Sequence, residues 1–206
     1  MEVVPKPTLL NFSINLNYPD YTGIKDETLQ NTGDLLIPEG TNLEWIFKTE
    51  NTDHIELFFP NGKVNASNSG GSTFNISRKV MVNELYKIGI ANGKVYNRDT
   101  ISYNITVIPD LFPEITAEQF KDSLDEKFLY FLGEINDDYG FKNMLFKYNI
   151  ESLDAGNNYF IKEENSTPIA IPKGIKNNRF THAFDLRAKT LQPGDRVTYY
   201  FEVWDN

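Results

Sequence analysis

The chain has 206 residues, a formal net charge of −9 and no cysteine. Its length admits one large or two small domains, and a composition of 40% hydrophobic and 14% aromatic residues argues against a disordered chain. The acidic balance and the lack of a basic stripe make nucleic acid and anionic membrane surfaces poor partners. The missing cysteine excludes a disulfide framework or a thiolate metal site, and no apolar run reaches the roughly 18 residues of a membrane span.

Apolar residues alternate with polar ones through most of the chain, the signature of half-buried strands. Leu10, Phe12, Ile14 and Leu16 mark the first, and Leu43, Trp45 and Phe47 the next clear one. Ile55, Leu57 and Phe59 follow and end at Pro60-Asn61-Gly62, a turn signal. Phe74 and Ile76 form a short strand. Tyr86, Ile88 and Ile90 lead to Asn92-Gly93, a hairpin signal, and the chain returns through Ile101, Tyr103, Ile105 and Val107. Short strands separated by turn chemistry predict a β-sandwich.

Pro109 and Pro113 then interrupt the pattern, and proline cannot continue a central strand. The reading is therefore all-β, two tandem immunoglobulin-like β-sandwich domains over residues 1–108 and 109–206. The first holds 12 acidic and 9 basic residues (−3), the second 17 and 11 (−6). Thr116 to Leu124 reads either as a capped helix, with Thr116 and Gln119 at capping-box spacing, or as a first strand starting near Ile115; the strand is preferred. Phe128 to Leu132, Met144 to Ile150, a short Tyr159 to Ile161, Phe180 to Leu186, and Val197 to Val203 complete the second set.

The halves form a weak repeat. Tyr86, Ile88, Ile90 and Asn92 match Tyr199, Phe201, Val203 and Asp205 at constant spacing. In the first half this strand turns and pairs with a returning one. The second half ends at Asn206, so the expectation is a domain truncated before its last strand, with Val197 to Val203 on an open edge. The opening segment with Val3, Val4, Pro5 and Pro7 reads in the same way as the interior of a longer protein.

Residues that could carry chemistry are few. The two histidines, His54 and His182, have neither metal-ligand spacing nor a nucleophile-elbow context. Asp110, Asp137, Asp138 and Asp205 lie in the linker or after strands. Carboxylates at the poles of tandem sandwiches can supply part of the six to eight oxygens that Ca²⁺ requires; the same residues also build Asx turns. Tyr18, Tyr21, Tyr200 and Trp204 could offer stacking surfaces for sugar, or could be packing residues.

Several phrases resemble a known family. Tyr18-Pro19-Asp20-Tyr21-Thr22-Gly23 precedes Asn31-Thr32-Gly33-Asp34-Leu35 and Ile37-Pro38-Glu39-Gly40-Thr41, with Trp45 in the strand that follows. Later come Asp137-Asp138-Tyr139-Gly140-Phe141, Pro193-Gly194-Asp195 and Tyr200-Phe201-Glu202-Val203-Trp204-Asp205-Asn206. From about Pro5 onward the chain is similar to the domain of unknown function 4175 family, membrane-anchored proteins of Bacteroidetes-type bacteria. The resemblance implies an Ig-like periplasmic part of a protein that also carries membrane helices and long charged helical segments. It carries over no catalytic residue.

The expected role is thus a non-enzymatic envelope spacer or protein-interaction module. Its partners would be envelope proteins or other parts of the parent chain, with no nucleic acid. The alternative is a carbohydrate- or peptide-binding module that uses Tyr200 and Trp204 or an exposed strand edge. No cofactor is expected beyond the Ca²⁺ at the four aspartates.

Overall fold

A computed structural model describes residues 5–93, 95–97, 101–121 and 126–205. The chain divides into two compact units, Met1–Asp110 and Leu111–Asn206. The break falls inside the proline-flanked segment, two residues later than the alternation predicts.

Unit 1 is built from β1 (Thr8–Asn17), β2 (Glu27–Gln30), β3 (Leu35–Pro38), β4 (Asn42–Glu50), β5 (His54–Phe59), β6 (Gly62–Asn65), β7 (Ser67–Gly70), β8 (Thr73–Lys79), β9 (Glu84–Ala91), β10 (Tyr96–Asn97) and β11 (Ser102–Ile108). One sheet runs β2-β1-β4-β8-β7 and the other β3-β11-β9-β5-β6, with β10 paired to β9. Among the described strands, only β3 and β11 pair in parallel. This is an immunoglobulin-like sandwich: the inward residues of both sheets interleave over one core. The alternation read from the sequence supplies that core. Phe12, Ile14, Trp45 and Phe47 from the first sheet meet Ile55, Leu57, Tyr86 and Ile105 from the second. The Trp45 ring stands edge-on to Tyr86 at 5.4 Å. The Tyr86 hydroxyl donates to the Gly33 carbonyl at 2.9 Å, so a polar group at the end of a buried ring is satisfied.

Among the described residues unit 2 has six strands: β12 (Glu114–Lys121), β13 (Phe128–Asn136), β14 (Phe141–Leu153), β15 (Tyr159–Ile169), β16 (Asn177–Asp185) and β17 (Arg196–Asp205). Their sheets are β12-β13-β16 and β15-β14-β17. Thr116 and Gln119 therefore sit in a strand, as preferred, and not at a helix start. The core is strongly aromatic. Phe131 and Phe184 from one sheet pack on Phe146 and Tyr148 from the other. Gly133 in the central strand is forced by this packing: a Cβ there would lie 2.3 Å from the Phe180 ring and 2.5 Å from the Thr116 carbonyl.

Two differences from the sequence reading matter below. Tyr159 to Ile161, read as a short strand, is the start of the eleven-residue β15. In addition, unit 1 contains five short strands with no clear alternation: β2, β3, β6, β7 and β10. Four of them are outermost in their sheets, and each of those four is four residues long.

Candidate interaction surface

β17 emerges from a tightly held turn. Gly194 takes a positive φ of 96°, a conformation that favours glycine. The Asp195 carboxylate accepts from the Ser152 hydroxyl at 2.6 Å, the Gln192 N–H at 2.8 Å and the Lys162 ammonium at 3.2 Å. These bonds, that of Ser152 foremost, hold its pKa below the ordinary carboxylate value. The start of β17 is thereby fixed to the β14–β15 hairpin.

From there β17 runs antiparallel to β14, with Val197, Tyr199, Phe201 and Val203 opposite Ile150, Tyr148, Phe146 and Met144. All four β14 residues are buried, so these β17 residues face the core. Thr198, Tyr200, Glu202 and Trp204 face outward. Tyr200 is 47% and Trp204 53% exposed. Between them on this face, Glu202 pairs with Lys147 of β14 at 2.8 Å. That bond raises the Lys147 pKa; on an open surface it orients the side chains more than it stabilises the fold.

The opposite flank of β17 is open: among the described residues it pairs with β14 alone. In unit 1 the strand of matching pattern is paired on both flanks. There β9 stands in the same place in the strand order, with β5 on one side and β11 on the other. Its inward residues Tyr86, Ile88 and Ile90 are 0%, 7% and 7% exposed. Tyr199, Phe201 and Val203, which match them in sequence, all remain partly exposed. Tyr199 turns its hydroxyl to Gln119 of β12, donating at 2.6 Å across the open side.

Beside the other outer strand of this sheet, β15, side chains form a polar cluster that the sequence did not announce. The Tyr148 hydroxyl and the Lys189 ammonium both donate to Glu163, at 2.6 and 2.7 Å. Lys189 also reaches the Tyr148 hydroxyl and lies 4.5 Å from its ring centroid. Lys189 first and Tyr148 second hold the Glu163 carboxyl below its ordinary pKa, while the same contacts raise that of Lys189. The group is an ion pair in which each charge stabilises the other.

The remaining candidates are dispersed. Asp110 closes unit 1, whereas Asp137, Asp138 and Asp205 belong to unit 2. Asp137 makes an Asx turn, its Oδ2 accepting from the Tyr139 and Gly140 N–H groups at 2.9 and 2.6 Å. Asp205 stands opposite Phe141 in the ladder. Among the described residues, no three acidic or histidine side chains gather to hold a metal ion. Tyr18 donates to Glu27 at 2.6 Å and Tyr21 to the Glu39 carbonyl at 2.7 Å, both within unit 1. A cleft of about 340 Å³ in unit 1, between Pro7, Leu9, Ile90 and Tyr103, is walled chiefly by apolar side chains.

No family model and no curated protein matches this chain. Solved structures similar to it include a chimeric titin Z1Z2-Z1Z2 tandem, at 10% identity over 94% of this chain and 96% of that one, with a TM-score of 0.32. A β-glucuronidase of Bacteroides uniformis shares 12% identity over 81% of this chain and 23% of the enzyme, at 0.28. The SGBP-B protein of a Bacteroides ovatus mixed-linkage glucan utilization locus shares 11% over 96% and 57%, at 0.24. Scores this low leave the two-sandwich description resting on strand order alone. No helix among the described residues is long and apolar enough to cross a membrane.

His182 lies between the sheets, with its ring 4.2 Å from that of Phe146 and within 6.5 Å of Phe131 and Phe201. Burial lowers its pKa. A histidine with a depressed folded pKa stabilises the fold fully above its unfolded pKa of about 6.5, and loses that stabilisation as pH falls below it. Thermal melts from pH 8 to pH 5 are therefore expected to show wild type losing more stability than His182→Gln below about pH 6.5. Parallel pH profiles for the two proteins would contradict this role.

Proposed function

We propose that this chain is a non-enzymatic interaction module of the bacterial cell envelope, part of a membrane-anchored protein, and that β17 is its contact element. The observation that carries this reading is the partly exposed row Tyr199, Phe201 and Val203 on a ten-residue strand that, among the described residues, pairs on one flank only. Such an edge offers backbone N–H and C=O groups to an incoming strand. The envelope setting is supported by the family resemblance of the phrases around Trp45, Gly140 and Trp204.

A second reading has its own observation. Tyr200 and Trp204 present exposed rings on the same face of one strand, about 13 Å apart at strand rise. That arrangement can stack on successive sugar rings of an extended glycan.

One experiment separates the two. A photo-crosslinking residue at Tyr200 is expected to join the chain to a polypeptide in the producing cell, whereas the same group at Lys63 of unit 1 does not. Equal adducts from both positions would overturn the contact role of β17. A glycan-array signal that disappears in Trp204→Ala, without a polypeptide adduct, would replace it with the carbohydrate reading.

A further inference from the structure

The tetrapeptide Asn-Gly-Lys-Val occurs twice in unit 1, at residues 61–64 and 92–95, each time between paired strands. Asparagine is a thermally labile residue. It is most reactive before glycine, which has no side chain to hinder attack of its backbone nitrogen on the asparagine carboxamide. With the same four residues at both places, intrinsic reactivity is nearly equal, and the fold decides which one reacts.

The first of them is unguarded. Pro60 and Asn61 form the two-residue loop of the β5–β6 hairpin, which closes with Phe59 opposite Gly62. Pro60, Asn61, Gly62 and Lys63 are all exposed. Among the described residues, the Asn61 side chain makes no hydrogen bond. Gly62 has a φ of 139°, a conformation that favours glycine, and the space where a Cβ would stand is open. Gly62 is also the last rung of its ladder, and such ends fray at little cost in free energy.

The second is held at every polar atom. Asn92 Nδ2 donates to the Pro5 carbonyl at 2.8 Å and to the Asn51 carbonyl at 3.1 Å, while its Oδ1 accepts from the Val95 N–H at 2.8 Å. The Gly93 N–H, which would have to lose its proton, donates to Asp53 Oδ2 at 2.8 Å. A carboxylate that accepts this hydrogen opposes formation of the amide anion. To react, Asn92 must give up three hydrogen bonds and Gly93 a charge-assisted one. Losing a single hydrogen bond of ordinary strength corresponds to roughly tenfold in rate.

We propose that Asn61 is a site of spontaneous covalent modification, and that the fold protects Asn92 from the same reaction. Hydroxide removes the Gly62 amide proton, and the nitrogen attacks Asn61 Cγ. The N–Cγ bond forms, the Cγ–Nδ2 bond breaks, and Nδ2 leaves as ammonia. Water then opens the cyclic imide. Addition at Cγ gives aspartate; addition at the Asn61 backbone carbonyl gives isoaspartate, in which the main chain runs through Cγ. Either product adds one negative charge to the turn. Isoaspartate also lengthens the backbone of a two-residue loop, and loop length sets hairpin register. Among the described strands β6 pairs with β5 alone, so β6 is the strand that this loosens.

The test is incubation of the folded chain in warm, mildly alkaline buffer, followed by tryptic mass mapping. Cleavage after lysine places Asn61 in residues 49–63 and Asn92 in residues 88–94. The mass gain of an amide converted to an acid is expected at Asn61 at least about tenfold faster than at Asn92. In denaturant the two rates are expected to converge. In the Asp53→Asn chain, Asn92 is expected to react faster and Asn61 at its former rate; Asp53 is exposed, so the fold survives the change. Hydrogen exchange at β6 should rise as Asn61 reacts, and should stay constant in Asn61→Gln, whose longer side chain cyclises poorly. Equal rates at the two sites of the folded chain, a faster rate at Asn92, or an Asn61 that reacts only in denaturant would overturn the proposal. An Asn92 rate unmoved by Asp53→Asn would refute the protection by the carboxylate, and constant exchange at β6 in reacted chains would refute the loosening.

Discussion

Replacing Phe146 with alanine is expected to abolish the cooperative melting of unit 2 while leaving that of unit 1 in place. Phe146 is 1% exposed at the centre of an aromatic core. Its ring centroid lies 4.2 Å from His182, 5.1 Å from both Phe184 and Phe201, and 5.9 Å from Phe131. Truncating a buried phenylalanine costs about 3–5 kcal/mol in lost transfer energy and cavity formation. Small domains hold about 5–15 kcal/mol in total, so this loss is a large share of what holds unit 2 folded. Calorimetry resolves the two units. Fluorescence provides a second check, because Trp45, one of only two tryptophans, is buried in unit 1. Its spectrum should keep a buried signature in Phe146→Ala. A melt with both transitions unchanged would show that the core repacks around the cavity.

The converse change is Trp45→Ala. Trp45 is fully buried, edge-on to Tyr86 at 5.4 Å and to Phe59 at 6.4 Å. It sits on β4, the central strand of its sheet, and faces β5 and β9 of the other. Its loss is expected to cost about 3–5 kcal/mol and to lower the unit 1 transition by roughly 15 °C or more, at about 4–8 °C per kcal/mol for a domain of this size. Trp204 then becomes the sole tryptophan, and its emission should report an unchanged unit 2. Loss of both transitions together would show that the units melt as one.

The central strands were legible in the sequence because each has one face on the core. Alternation around Trp45, Tyr86 and Phe146 identified β4, β9 and β14 without ambiguity. The same signal failed where neither face is buried. Tyr159 to Ile161 reads as a short strand, yet Lys162 to Pro168 continues it as β15, since an edge strand needs backbone pairing with β14 and little else. β3 was hidden for a different reason: its four residues are too few to show alternation, and it is fixed by parallel pairing with a strand some seventy residues away. At the candidate surface, phase alone placed Tyr200 and Trp204 outward. The partial exposure of Tyr199, Phe201 and Val203 could not be read that way. Their pattern is that of the buried Tyr86, Ile88 and Ile90, and only the strand order separates the two rows.

The pairing of β3 with β11 also bears on how the chain folds. β3 has no other neighbour among the described strands, so unit 1 cannot complete its second sheet until the last of its strands has been synthesised. Contacts that close so late in sequence make folding slow. In the interval β9 stands open along the flank that β11 will occupy, while the similarly patterned strands of unit 2 follow on the same chain. The proline-flanked segment that ends at Pro113 keeps the two sets of strands apart in sequence, and pairing between them is the misassembly to which tandem domains are prone.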